Sequence, residues 1–166
     1  MSLETFLDPK SVAIVGASRE KGKVGYEITV NMKNAGYQGK LFPVNPKATE
    51  IEGLKCYTDL KSIGEVPDLV VIVVPASYVP AVMKECVAIG VKAVVVITAG
   101  FKEVGKAGAE LEKEVVRIAR SHSNPNAACR EAAGYVLGWH TAHAEASWKN
   151  AQEEWSKLRH QDKFWR

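Results

Sequence analysis

The 166 residues suffice for one hydrophobic core without disulfides or a structural metal, and 22 Lys and Arg against 19 Asp and Glu leave a formal charge of only +3. That balance lacks the concentrated positive field of a nucleic-acid binder, so any phosphate recognition is expected to be local. Residues 1–10 hold Glu4 and Asp8 but no apolar signal core, no apolar run nears membrane-spanning length, and Cys56, Cys86 and Cys129 fit neither a disulfide framework nor a Cys-x-x-Cys site; the expectation is a soluble, cytoplasmic protein with buried or half-buried free thiols and no membrane partner.

Val12–Val15 reads as a strand and Val24–Ala35 as a helix, with Ile28 and Met32 on one face and Gly36 just past its end. Lys40–Val44 is a second strand, in which Pro43 marks either the strand's end or a position where no partner needs an N–H. Residues 45–67 are loop-rich, with a short extended piece at Leu54–Cys56 and a brief helix around Asp59–Ile63. Asp68–Val74 and Lys92–Thr98 are apolar without alternation, the mark of strands buried on both faces in a parallel sheet. Between them a helix is expected from Ser77 or Tyr78 to Ile89, closed by Gly90. A last one spans Ala107–Arg120, rich in Glu at its start and Arg at its end. This βα alternation predicts an α/β fold: a doubly wound parallel sheet with helices on both faces and right-handed crossovers, its ligand at the carboxyl ends of the strands.

The texture changes after His122. All four tryptophans of the chain, Trp139, Trp148, Trp155 and Trp165, lie beyond it, as do His140, His143 and His160. The domain is therefore expected to occupy residues 1–122, and residues 123–166 to form an atypical C-terminal helical tail. A fused or out-of-register segment fits the composition equally well. Ala144, Trp148, Ala151, Trp155, Leu158 and Trp165 make one helical stripe, read as a packing face against the body or against a second copy. His140 and His143 have the spacing of two metal ligands, with Cys129 or His160 as a third, but Trp-rich surroundings favour packing, and no metal is assigned.

Gly16 closes the first strand and opens the turn Gly16-Ala-Ser-Arg-Glu-Lys-Gly-Lys-Val-Gly25, whose backbone N–H groups suit a phosphate or pyrophosphate. The spacing is not Gly-x-Gly-x-x-Gly, and glycine also serves any tight strand-to-helix connection. The second strand discriminates further. A NAD-binding fold ends it with Asp or Glu for the ribose hydroxyls, whereas here it reads Val44-Asn-Pro-Lys47. Lys47 suits an added ribose phosphate, which NADP carries on the 2′ oxygen and coenzyme A on the 3′ oxygen; standing alone it is also an ordinary solvated turn residue. Pro43 and Pro46 stiffen the backbone around Asn45.

Four motifs then occur in order: Ser11-Val-Ala-Ile-Val-Gly-Ala-Ser18, Phe42-Pro-Val-Asn-Pro-Lys47, Val73-Val-Pro-Ala76 and Val96-Ile-Thr-Ala-Gly-Phe101. Together they resemble the N-terminal coenzyme A-binding domain of NDP-forming acyl-CoA synthetases, which include ADP-forming acetate–CoA ligases and the alpha subunit of succinyl-CoA synthetase. Leu3–Lys10 resembles the acetate–CoA ligase branch, and the likeness runs to about His122. It implies a Rossmann-like fold with coenzyme A or acyl-CoA as ligand. Gly16, Ala17, Ser18, Arg19, Lys21 and Lys23 would hold the pyrophosphate, and Val44, Asn45 and Lys47 the 3′-phosphate end. Val74, Pro75, Ala76, Thr98, Ala99 and Gly100 would line the path of the pantetheine arm.

The family's full ligases add a flavodoxin-like domain with a phosphorylated histidine and an ATP-grasp domain or subunit. Ser123–Cys129 keeps a trace of the stretch that joins the first two, and no sequence for either domain follows. The chain is thus expected to serve the reaction acyl-CoA + ADP + phosphate = acid + ATP + CoA without catalysing it unaided, with no catalytic residue assigned. An ATP-grasp subunit or the missing ligase domains are its expected partners, with a homo-oligomer through the Trp-rich segment as a further expectation. Two rival readings remain, an NADP-binding domain of an oxidoreductase and a non-enzymatic module that senses coenzyme A.

Overall fold

The computed structural model describes residues 4–121. The boundary at His122, the Trp stripe, the His140/His143 pair and Cys129 lie outside the described residues.

Four parallel strands form the sheet: β1 (Ser11–Val15), β2 (Lys40–Val44), β5 (Leu69–Ile72) and β6 (Ala93–Val96), in the order β2-β1-β5-β6. The chain passes from β1 outward to β2, then returns across β1 to place β5 on its other side. The carboxyl ends of β1 and β5 therefore flank the topological switch point. All residues of β1 and β5 are buried, as two-sided strands must be. Alternate side chains feed two cores. Ala13, Val15, Val70 and Ile72 pack with Met83, Cys86, Val115 and Ile118 of α3 (Val79–Ile89) and α4 (Lys106–Arg120). Val12, Ile14, Leu69 and Val71 pack with Ile28 of α2 (Val24–Asn34) on the opposite face. The expected α/β fold with a doubly wound parallel sheet and helices on both faces is what the chain adopts.

Several boundaries differ from the sequence reading. The third and fourth parallel strands are shorter than expected, at four residues each, although Val73 N–H still donates to Val15 O and Ile97 N–H to Ile72 O at 2.8 Å just past their ends. The helix expected from Ser77 or Tyr78 begins at Val79, after a 3-10 turn over Ala76–Tyr78. In α4 the first turn carries no acid, so the expected complement of the macrodipole is present only at the far end, as Arg117 and Arg120. The brief helix near Asp59 is a 3-10 turn at Lys61–Ile63. A short helix, α1 (Glu4–Leu7), precedes the first strand.

Pro43 sits inside β2, an edge strand of this sheet. Its carbonyl accepts from Tyr57 N–H at 2.9 Å, so the face lacking an N–H points away from β1 and no ladder bond is lost. The extended piece at Leu54 is β4 (Leu54–Lys55), paired antiparallel with β3 (Glu50–Ile51). Its turn residues Glu52 and Gly53 have φ of 51° and 77°, the positive values of a type I′ hairpin. Glu52 is strained there, and Lys33 Nζ of α2 holds its carbonyl at 2.6 Å. No helix among the described residues is long and apolar enough to cross a membrane.

Candidate functional site at the carboxyl edge of the sheet

Three loops converge at the switch point. Gly16 has φ +94°, and a Cβ on it would lie 2.7 Å from Val73 O and 3.1 Å from Val74 Cγ1. Only glycine lets the turn after β1 pass so close to the loop after β5. Helix α2 is equally tight: a Cβ on Gly25, in its first turn, would run into Gly16 O. The sequence reading took Gly25 as the end of the turn and did not weigh it as a contact. The available signal was a glycine inside a helical turn, where no cap calls for one.

The turn itself is pinned at its flanks and open along its crest. Gly16 N–H donates to Val44 O at 3.0 Å, Glu20 N–H to Ser18 Oγ at 3.0 Å and Gly22 N–H to Glu27 Oε1 at 2.9 Å. Glu27 is a second residue the sequence reading missed. The N–H groups of Ala17, Ser18 and Arg19 find no acceptor among the described residues. No side chain caps α2 either; Tyr26 and Glu27 N–H donate to Lys23 O, and the N–H groups of Val24 and Gly25 find no acceptor among the described residues. Ala17 is buried, Ser18 half-buried and Arg19 exposed, so these donors line an accessible edge, where the helix dipole favours an anionic acceptor.

Cations surround this crest. Arg19, Lys21, Lys23 and Lys47 are exposed. Lys23 stands 3.9 Å from Glu20, while Arg19, Lys21 and Lys47 have no carboxylate within pairing distance among the described residues. Lys47 enters through Asn45: Asn45 Oδ1 accepts from Lys47 N–H at 2.8 Å, and Asn45 Nδ2 donates to Ala17 O at 2.7 Å. Burial pushes the Cys56 thiol up, and its contacts with Asn45 O and Tyr57 O and the positive charge of Arg19 act in the opposite direction. Cys56 and Cys86 are both buried, as the thiols were expected to be.

The last two loops also meet. Thr98 is buried, and its Oγ1 donates to Val74 O at 2.9 Å. Gly100, at φ +115°, brings its Cα so near Ala76 that an added Cβ would sit 2.9 Å from the alanine methyl. Pro75 and Ala99 are exposed on these loops, while Val74, Ala76 and Gly100 are half-buried. The residues singled out from sequence thus share one edge, but unequally. Ala17 and Val44 are buried; the Ala17 N–H is open at this edge, while Val44 O is taken by Gly16 N–H.

Known proteins resemble this chain in sequence and fold. The family of coenzyme A (CoA) binding domains matches residues 10–130. Acetate–CoA ligase [ADP-forming] II of Archaeoglobus fulgidus is 48% identical over 114 residues, covering 69% of this chain and 17% of that protein. Subunit alpha of the Pyrococcus furiosus acetate–CoA ligase [ADP-forming] I is 46% identical over 126 residues, 74% of this chain and 27% of the subunit. The apo structure of the dinucleotide-forming acetyl-coenzyme A synthetase 1 of Ca. Korarchaeum cryptofilum superposes with a TM-score of 0.69 at 45% identity, covering 73% of this chain and 26% of that one. The chain thus spans only 17% to 27% of the length of these relatives. On its own matched residues, it belongs to the family of CoA-binding domains and is homologous to the N-terminal region of ADP-forming acetyl-CoA synthetases.

Proposed function

We propose that the carboxyl edge of the sheet holds coenzyme A or an acyl-CoA on behalf of an ADP-forming acid–CoA ligase. The observation that carries this reading is the juxtaposition at the switch point of unpartnered amides at Ala17, Ser18 and Arg19 with the unpaired Lys47 cation. The pyrophosphate lies over those amides and the first turn of α2, with Arg19, Lys21 and Lys23 screening its charge. Lys47 meets the 3′-phosphate. The pantetheine arm runs along Val74–Ala76 and Thr98–Gly100, whose small and apolar residues suit a thin aliphatic chain. The thiol end then leaves the domain toward the groups that carry out ligation. Those groups belong to other domains or to a partner subunit, in line with the alpha-subunit designation of the Pyrococcus relative.

Calorimetric titration with coenzyme A, dephospho-coenzyme A and NADPH, on the wild type and on Lys47→Ala, tests the reading. Loss of a charge-assisted contact is expected to weaken coenzyme A by about 1.5–3 kcal/mol, roughly ten- to a hundredfold. Dephospho-coenzyme A should bind both proteins alike. Equal losses for the two ligands, or tighter binding of NADPH than of coenzyme A by the wild type, would overturn the assignment.

A further inference from the structure

Asn45 is engaged by the protein at each of its polar groups. Its main-chain N–H donates to Tyr57 O at 2.8 Å and its carbonyl accepts from Ala48 N–H at 3.2 Å. Its Nδ2 reaches Ala17 O at 2.7 Å, and its Oδ1 receives Lys47 N–H at 2.8 Å. One side chain therefore touches both the turn after β1 and the loop after β2. A main-chain bond, Gly16 N–H to Val44 O at 3.0 Å, ties the strand ends together. Beyond that bond, and apart from apolar packing of Ala17 in one cluster with Ile51, Cys56 and Ala48, the hydrogen-bonded tie between the two loops among the described residues passes through the Asn45 carboxamide.

This matters because the two anions of the ligand proposed above are carried by one ribose, the pyrophosphate through the 5′ carbon and the other phosphate on the 3′ oxygen. The sugar ring fixes their separation, so the protein must fix the separation between its amides and its cation to the same value. Pro43 and Pro46 on either side remove backbone freedom at the same point. We infer that Asn45 is a positioning residue that sets the distance between the Ala17–Arg19 amides and Lys47, and thereby the preference for an adenosine sugar bearing the extra phosphate. The inference rests on the coenzyme A reading of this edge.

The test is a double-substitution cycle read by calorimetry with coenzyme A and dephospho-coenzyme A, using Asn45→Ala, Asn45→Ser, Lys47→Ala and each Asn45 substitution combined with Lys47→Ala. Thermal unfolding of each protein is recorded alongside. Serine keeps an oxygen for the Lys47 N–H but is too short to reach Ala17 O, so it preserves the local turn and removes only the bridge. Both Asn45 substitutions are expected to weaken coenzyme A roughly five- to tenfold and dephospho-coenzyme A much less. Added to Lys47→Ala, they should cost little more for coenzyme A, because the cation they position is already gone. Should Asn45→Ala fail to fold, Asn45→Ser carries the test. Equal weakening of both ligands, or full additivity with Lys47→Ala, would overturn the positioning role while leaving the ligand assignment standing. A wild type with no preference between the ligands would instead overturn the coenzyme A reading, and the role of Asn45 with it.

Discussion

The two ends of the same sheet treat their polar groups in opposite ways. At the amino end, Asp68 Oδ2 accepts from Lys10 N–H at 3.1 Å and from Ser11 Oγ at 3.3 Å, Asp68 N–H donates to Ser11 Oγ at 3.0 Å, and Lys92 Nζ stands 3.8 Å from Oδ1. Tyr37 OH donates to Pro9 O at 2.7 Å, and Lys40 pairs with Glu65 at 2.8 Å. At the carboxyl end, the amides of Ala17, Ser18 and Arg19 and the cations Arg19, Lys21 and Lys47 are left without such partners among the described residues. Protein groups close one end, so it serves the fold. The other end leaves donors and charges open, as the proposed coenzyme A site requires, and glycines let the loops pack tightly beneath them.

The sharpest way to break this contrast is Gly25→Ala. The new methyl would meet Gly16 O and lie 3.0 Å from Ala17 Cα, both main-chain atoms that no rotamer change can move aside. Helix α2 must then lift away from the end of β1. The expected loss is about 3 kcal/mol of stability in urea unfolding, together with loss of coenzyme A binding. A variant of unchanged stability and affinity would show that the carboxyl edge is not held by this contact.

Next in size is Asp68→Ala, which acts at the opposite end. Removing a carboxylate that receives two hydrogen bonds and faces Lys92 should cost about 2 kcal/mol, read from the same unfolding curves. Coenzyme A affinity should not change. If affinity fell along with stability, the two ends would not be separable, and the division of labour drawn above would fail.

How much of this was legible in the sequence follows from which forces set each part. Val12–Val15 and Leu69–Ile72 are buried on both faces, and burial of that kind writes itself as unbroken apolar runs. Gly16 and Lys47 stood out because one ends a strand and the other replaces an expected acid. The β3–β4 hairpin was not legible, since Glu52-Gly53 lacks the Asn-Gly or Asp-Gly signature and is held by Lys33 of a distant helix. Asn45 was read as part of the ligand site, but its partner Ala17 O is 28 residues away, and no local pattern announces such a bond. Gly25 shows in the sequence only as a glycine inside a helical turn; its reason is the position of Gly16 O in space.

The smallest expected effect concerns the two loops beside the pantetheine path. Thr98 is 7% exposed, and its hydroxyl satisfies Val74 O at 2.9 Å. Thr98→Val keeps the shape of the side chain and removes the donor, so a half-buried carbonyl loses a partner at a cost of about 1 kcal/mol. The loops would loosen at a place that coenzyme A and dephospho-coenzyme A share. Both ligands should therefore weaken by the same small factor, with Thr98→Ser restoring the wild-type value. That pattern differs in kind from the selective loss expected at Lys47. If Thr98→Val changed the preference between the two ligands, the 3′-phosphate would have to lie beside β6 rather than beyond β2, and the proposed direction of the ligand across the sheet would be reversed.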